Sequence, residues 1–220
     1  MATTVEATRE PAAGPAPTPT PWYRERSRLL MGAIAALVLI ALVGWFTIAS
    51  GKRKEQFASR SLNQARAAAE AGNLPLASSE LQKLITAYKG TDAATEAVIT
   101  LNQIRLINGQ SELAAVGLRE FLAGQPPRQY VTPAYGLLAA ALENSKRWAD
   151  AGQAYTQASE AAEVEYLKAQ YLVDAGRAYR EGGNAEAAAR AYRTVVEKYP
   201  KAPSFTEAQV RLAELTDGKM

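Results

Sequence analysis

Apolar and polar positions divide this chain into three regimes. Residues 1–28 mix proline, alanine and threonine with almost no large apolar side chain. Leu29 to Ala49 is unbroken apolar sequence, and residues 53–217 alternate apolar and polar positions with a helical period. The last regime is clearest near its end. Leu172, Ala175, Ala178 and Tyr179 form one stripe, and Ala188, Tyr192, Val195, Val196 and Tyr199 form another at steps of four, three, one and three. Between them Gly182-Gly183 breaks the first helix, and Asn184 is a good N-cap for the second. Pro200 stops the second helix, so the stretch predicts a helical hairpin.

The hairpin is one copy of several. "EGGNAEAAARAYRTVVEKYP" (Glu181 to Pro200) aligns without a gap to "NSKRWADAGQAYTQASEAAE", "INGQSELAAVGLREFLAGQP" and "EAGNLPLASSELQKLITAYK", each 37 residues further upstream. Ala77, Ala114, Ala151 and Ala188 share one column; Leu81, Leu118, Tyr155 and Tyr192 share the next. The units fall near residues 58–91, 95–128, 132–165 and 169–202, and an amphipathic stretch over 204–215 follows as a capping helix. Turns use Gly72-Asn73 and Gly109-Gln110, with Lys146-Arg147 the outlier in the third unit, and Thr91-Asp92 and Thr132-Pro133 read as helix starts. One helical pair cannot cover its own apolar face, so such units stack. The predicted fold class is all-α: one N-terminal transmembrane helix, then an α-solenoid of about four hairpins and a capping helix.

The span rests on length. Leu29 to Ala49 is 21 uncharged residues, and at ~1.5 Å per residue it extends roughly 31 Å, the thickness of a hydrocarbon core. Thr47-Ile48-Ala49 could pass for a signal cleavage site, but the run exceeds the ~7–15 apolar residues of a signal core. It reads as an uncleaved anchor preceded by a disordered Pro-rich tail, residues 1–28, whose first 21 residues hold five of the eleven prolines. Arg24, Arg26 and Arg28 before the span balance Lys52, Arg53 and Lys54 after it, so flanking charge leaves orientation open. A short tail and a long following domain favour a signal-anchor with the domain outside the cytoplasm. Gly32, Ala36 and Ile40 give the span only a weak small-residue face.

The fourth unit resembles the tetratricopeptide repeat (TPR). Gly176, Tyr179, Ala188, Tyr192, Val195 and Pro200 stand where that motif has its small, aromatic and proline positions, Val195 being the poorest match. The other units resemble it less: the second has Asn102 where Gly or Ala belongs and Arg105 in place of the aromatic. One span followed by degenerate TPRs, roughly Arg24 to Leu215, resembles a bacterial family, the ancillary subunit of the SecYEG translocon grouped with a cell division coordinator. The Pro-rich tail departs from that family. The resemblance implies a single-pass inner-membrane protein with a periplasmic TPR domain, and translocon subunits, periplasmic chaperones or exported chains as partners. It also implies a groove lined by the first helix of each pair, at Gln103, Leu106, Glu143, Arg177 and Arg180.

Composition removes much of the remaining chemistry. The chain has no cysteine and no histidine, which excludes disulfides, thiol nucleophiles, His-based triads and the usual zinc ligands. Ser78 and Ser79 have no histidine base, the glycines follow the repeat and build no phosphate loop, and Glu160, Glu163 and Glu165 read as a solvated helix junction. Net charge is only +3 and the charges are mixed along the chain, so no nucleic-acid partner is indicated. No enzyme, cofactor or metal is expected. The expectation is a membrane-anchored protein-interaction module for secreted or envelope proteins, the alternative being a scaffold for cell division or envelope assembly.

Overall fold

A computed structural model describes Gly14 and residues 22–216. The disorder expected of the tail falls, for residues 1–13 and 15–21, outside the described residues. Among those described there is no strand, and the helices run in order α1 (Trp22–Glu70), α2 (Leu74–Ala87), α3 (Asp92–Ile107), α4 (Ser111–Ala123), α5 (Arg128–Asn144), α6 (Trp148–Ala161), α7 (Glu165–Glu181), α8 (Ala185–Lys198) and α9 (Phe205–Leu215). Helix α1 starts inside the tail expected over residues 1–28. Pro21 is the last proline before it, and no helix breaker occurs between Trp22 and Met31. The chain forms two compact units, Met1–Ser50 and Gly51–Met220.

The first unit holds the apolar part of α1. Leu29, Leu37, Ile40, Trp45 and Phe46 all lie exposed, and the helix is long and apolar enough to cross a membrane. Thr47 Oγ1 donates to the Gly44 carbonyl at 2.8 Å and Ser50 Oγ to the Thr47 carbonyl at 3.1 Å. Both hydroxyls near the end of the apolar run are thus satisfied within the helix itself.

In the second unit the hairpin turns repeat to the bond. Gly72, Gly109, Lys146 and Gly183 all have positive φ (+79°, +71°, +56° and +76°). Each donates its N–H to the carbonyl three residues back, and the next residue donates to the carbonyl five back: Asn184 to Tyr179, Arg147 to Leu142, Gln110 to Arg105 and Asn73 to Ala68. This is the Schellman arrangement, which satisfies the last carbonyls of the first helix while the chain reverses. The following helix is then capped where the side chain allows, Asn73 accepting from Leu76 N–H and Asn184 from Ala187 N–H. Thr91 caps α3 in the same way, and both oxygens of Glu55 accept from Asp92 and Ala93 N–H.

Thr132-Pro133 is not a helix start. Helix α5 begins at Arg128, after Pro127, and carries Pro133 inside it. A proline there leaves the carbonyl of Gln129 without its i+4 donor, at an exposed residue in the first turn where the group is open to solvent.

Packing follows the repeat columns. Ala77, Ala114, Ala151 and Ala188 are fully buried, and Leu81, Leu118, Tyr155 and Tyr192 are buried beside them. A Cβ added at Gly176 would lie 2.5 Å from the Tyr192 ring, so the glycine lets α7 close on α8. Three core clusters run along the solenoid, one around Leu62, Leu81 and Leu101, one around Leu118, Leu138 and Leu142, and one around Val173, Tyr192 and Leu212. The last includes α9, which packs on α8 and touches α7. It therefore covers the open end of the stack, as expected of a cap.

Candidate functional site

The first helices of successive hairpins form one wall, and two columns of the repeat face along it. Arg66, Gln103, Ala140 and Arg177 occupy one column; Leu106, Glu143 and Arg180 occupy the next. Charges in these columns pair between neighbouring helices. Arg66 of α1 meets Glu96 of α3 at 2.5 Å, Arg177 of α7 meets Glu143 of α5 at 2.5 Å, and Arg180 of α7 meets Glu214 of α9 at 3.3 Å. The first two pairs link one hairpin to the next, and the third links the fourth hairpin to α9.

The α5–α7 brace is the most developed. The Glu143 side chain is only 15% exposed; its Oε2 accepts a 2.9 Å bond from Tyr155 Oη while Oε1 takes Arg177. Arg177 also meets Asp174 at 3.1 Å. Burial by itself would lower the Arg177 pKa, but the Asp174 hydrogen bond and the charges of Glu143 and Asp174 raise it above the ordinary guanidinium value. Burial first, and then the Glu143 charge, push the Tyr155 phenol well above its usual range. Tyr155 stacks on Tyr171 at a centroid distance of 6.4 Å, and Gly136 makes room for Tyr171, whose hydroxyl would lie 2.8 Å from an added Cβ.

The residues expected in the groove therefore divide. Glu143, Arg177 and Arg180 are engaged within the fold. Gln103 is exposed, and Leu106 is half-buried against the central core. Between α3 and α5 the column residues Gln103 and Ala140 carry no charge, and no ion pair joins these two helices among the described residues. Beside Leu106, Ile107 is 73% exposed. Sequence periodicity misses Ile107, because it follows Ile104 at i+3 and so reads as core. Only the end of α3 at that residue leaves it uncovered. The centre of the wall is thus the part with free, partly apolar surface.

The tetratricopeptide repeat family matches residues 170–202, the fourth hairpin. No curated protein sequence matches the chain. Among solved structures, the MamA protein superposes with a TM-score of 0.58 at 18% identity, covering 74% of this chain and 82% of that one. PilW, a widely conserved type IV pilus biogenesis factor, gives 0.55 at 20% identity over 69% of this chain and 67% of that one. A tetratricopeptide repeat protein from Parabacteroides merdae gives 0.59 at 13% identity, over 74% and 61%. The second unit therefore has the fold of a solenoid of TPR-like helical hairpins, and its fourth hairpin matches the tetratricopeptide repeat itself.

Proposed function

We propose that the chain is a membrane-anchored TPR interaction module that assists secreted or envelope proteins from the non-cytoplasmic face of a bacterial inner membrane, as an ancillary translocon or periplasmic chaperone-type factor. The observation that carries the anchor is the exposure of every large apolar side chain described between Leu29 and Phe46. A stripe this long, apolar on all sides, is unstable in water and stable in lipid. Binding falls to the centre of the first-helix wall. Gln103 offers hydrogen bonds there, and Leu106 and Ile107 offer apolar contact to an extended segment of a translocon subunit, a chaperone or an exported chain. Glu143, Arg177 and Arg180 shape that wall and reach a ligand only from their exposed edges.

Site-specific photocrosslinkers at Gln103 and Ile107 in intact membranes test the reading. Adducts with translocon subunits or periplasmic chaperones are expected. Adducts confined to septal or peptidoglycan machinery would replace it with a cell-division or envelope-assembly scaffold. Protease added to spheroplasts checks the topology: loss of residues from Gly51 onward is expected, and protection of that part would reverse the orientation.

A further inference from the structure

The repeat also makes clefts on the other side of its first helices. One cleft of about 360 Å³ lies over α5 between α4 and α6, with Tyr135, Leu138 and Leu142 of α5 in its lining. Its counterpart 37 residues earlier lies over α3 between α2 and α4, measures about 680 Å³, and has Val98, Leu101 and Arg105 in the matching places. At ~100° per residue, Arg105 points roughly 200° away from Gln103 around α3, so this cleft is separate from the first-helix wall.

What distinguishes the larger cleft is its chemistry. The third hairpin has Ala139 and Leu142 at these repeat positions, the fourth has Gly176 and Tyr179, and the second has Asn102 and Arg105. Asn102 is 1% exposed; its Nδ2 donates to the Val98 carbonyl at 2.9 Å and its Oδ1 accepts from Arg105 Nη1 at 3.0 Å. Gly117 of α4 leaves the room for this pair, since a Cβ there would lie 2.9 Å from both Arg105 Nη1 and Asn102 Oδ1. The guanidinium is thus held in place by a buried amide. Among the described residues no carboxylate lies within ion-pair distance of it, whereas Arg177 has two. Burial without a counter-charge holds Arg105 below its usual range. Lys89 adds positive charge to the cleft, Glu120 is the single acid lining it, and Val98 and Phe121 supply apolar surface. The volume is that of a ligand pocket, large enough for a short peptide segment.

We propose that this cleft is a second binding site, which takes an acidic segment of a partner polypeptide with its carboxylate on Arg105 and an adjoining apolar side chain on Val98 and Phe121. An arginine with most of its donors unused forms charge-assisted, bidentate bonds to a carboxylate. Asn102 is a positioning residue that fixes the fork. Glu120 competes with the incoming carboxylate for the same positive field.

Full chain in detergent micelles is titrated with a fluorescein-labelled, amide-capped peptide of sequence GSLELSG and with its neutral counterpart GSLQLSG. The acidic peptide is expected to bind at least about ten-fold tighter. Arg105→Leu is expected to abolish that preference. Because it also leaves the buried Asn102 amide without its partner, the double variant Asn102→Ala, Arg105→Leu, which carries the Ala139–Leu142 pair of the third hairpin, is expected to lose the preference while staying folded. Glu120→Gln strengthens capture of the acidic peptide, and Gln103→Ala leaves the preference unchanged. Equal binding of the two peptides overturns the proposal, as does a preference that survives in Arg105→Leu. A preference lost in Gln103→Ala would place the peptide on the first-helix wall instead. Arg105-dependent binding of inorganic phosphate without any preference for the acidic peptide would make the cleft an anion site, not a polypeptide site.

Discussion

Lys146 occupies a position that the other three hairpins give to glycine, which makes Lys146→Gly a direct test of how the solenoid is built. Its φ of +56° lies in the left-handed region, as do those of Gly72, Gly109 and Gly183, and its turn makes the same two backbone bonds. A side chain in that region costs about 1–2 kcal/mol. Glycine relieves the strain but adds freedom to the unfolded chain, offsetting about 0.5–1 kcal/mol. The Lys146 side chain is exposed and pairs with no acid among the described residues, so the substitution gives up no contact. The net expectation is a gain of about 0.5–1 kcal/mol, or a midpoint roughly 1–4 °C higher for a domain of this size. Thermal unfolding of the full chain in detergent, followed by far-ultraviolet circular dichroism, measures it. Gly109→Lys is the reciprocal control, because an added Cβ there meets nothing within 4 Å and the variant reports backbone strain alone. It should lower the midpoint by a similar amount. A midpoint that falls or stays put in Lys146→Gly would refute the reasoning, since equal turns would then tolerate lysine and glycine equally.

Three further outcomes follow from the packing and the braces. Ala188→Leu should destabilise by ~1–3 kcal/mol, because Ala188 is fully buried where α7 and α8 meet; an unchanged melting midpoint would mean the alanine column is no interface. Reversing Arg177 and Arg180 to Glu should destabilise by about 1–3 kcal/mol, because the shielded Glu143 then faces like charge, and adding Glu143→Arg should restore part of the loss in the same melts. Tyr155 has a folded pKa above its unfolded value, through burial first and then Glu143, so its contribution to stability is intact below about pH 10 and is lost as pH rises beyond that. Tyr155→Phe should therefore flatten the alkaline fall in melting temperature, and an identical fall in both proteins would detach Tyr155 from it.

Hairpins, their columns and the closing helix were legible in the sequence because each is a local, periodic consequence of burial. A column such as Ala77, Ala114, Ala151 and Ala188 is visible whenever the same contact recurs every 37 residues. The start of α5 was not legible in that way. Thr132-Pro133 has the chemistry of a helix N-terminus, but Tyr130 packs against the central core and carries the helix four residues further back. The braces were hidden for a different reason. Glu143 and Arg177 lie 34 residues apart, and nothing in a one-dimensional pattern says which turn of α5 faces which turn of α7.

Repetition supplies a sharper instrument than composition for locating function in such a chain, since each position carries its own internal comparison. Where a hairpin departs from its sisters, the departure either finds a partner inside the fold or it does not. Glu143 finds Tyr155 and Arg177, and the result is a tighter joint between hairpins. Asn102 and Arg105 find chiefly each other: a buried amide and a cation with no acid in ion-pair distance among the described residues, in place of the apolar pair found one hairpin later. Asn102 is buried with both Nδ2 and Oδ1 hydrogen-bonded, so its amide is satisfied only while Arg105 stays beside it. An internal brace explains the first kind of departure completely. The second kind is what the proposed acidic segment would complete, and with the proposed contact at the centre of the first-helix wall it puts the two proposed binding surfaces on opposite sides of α3.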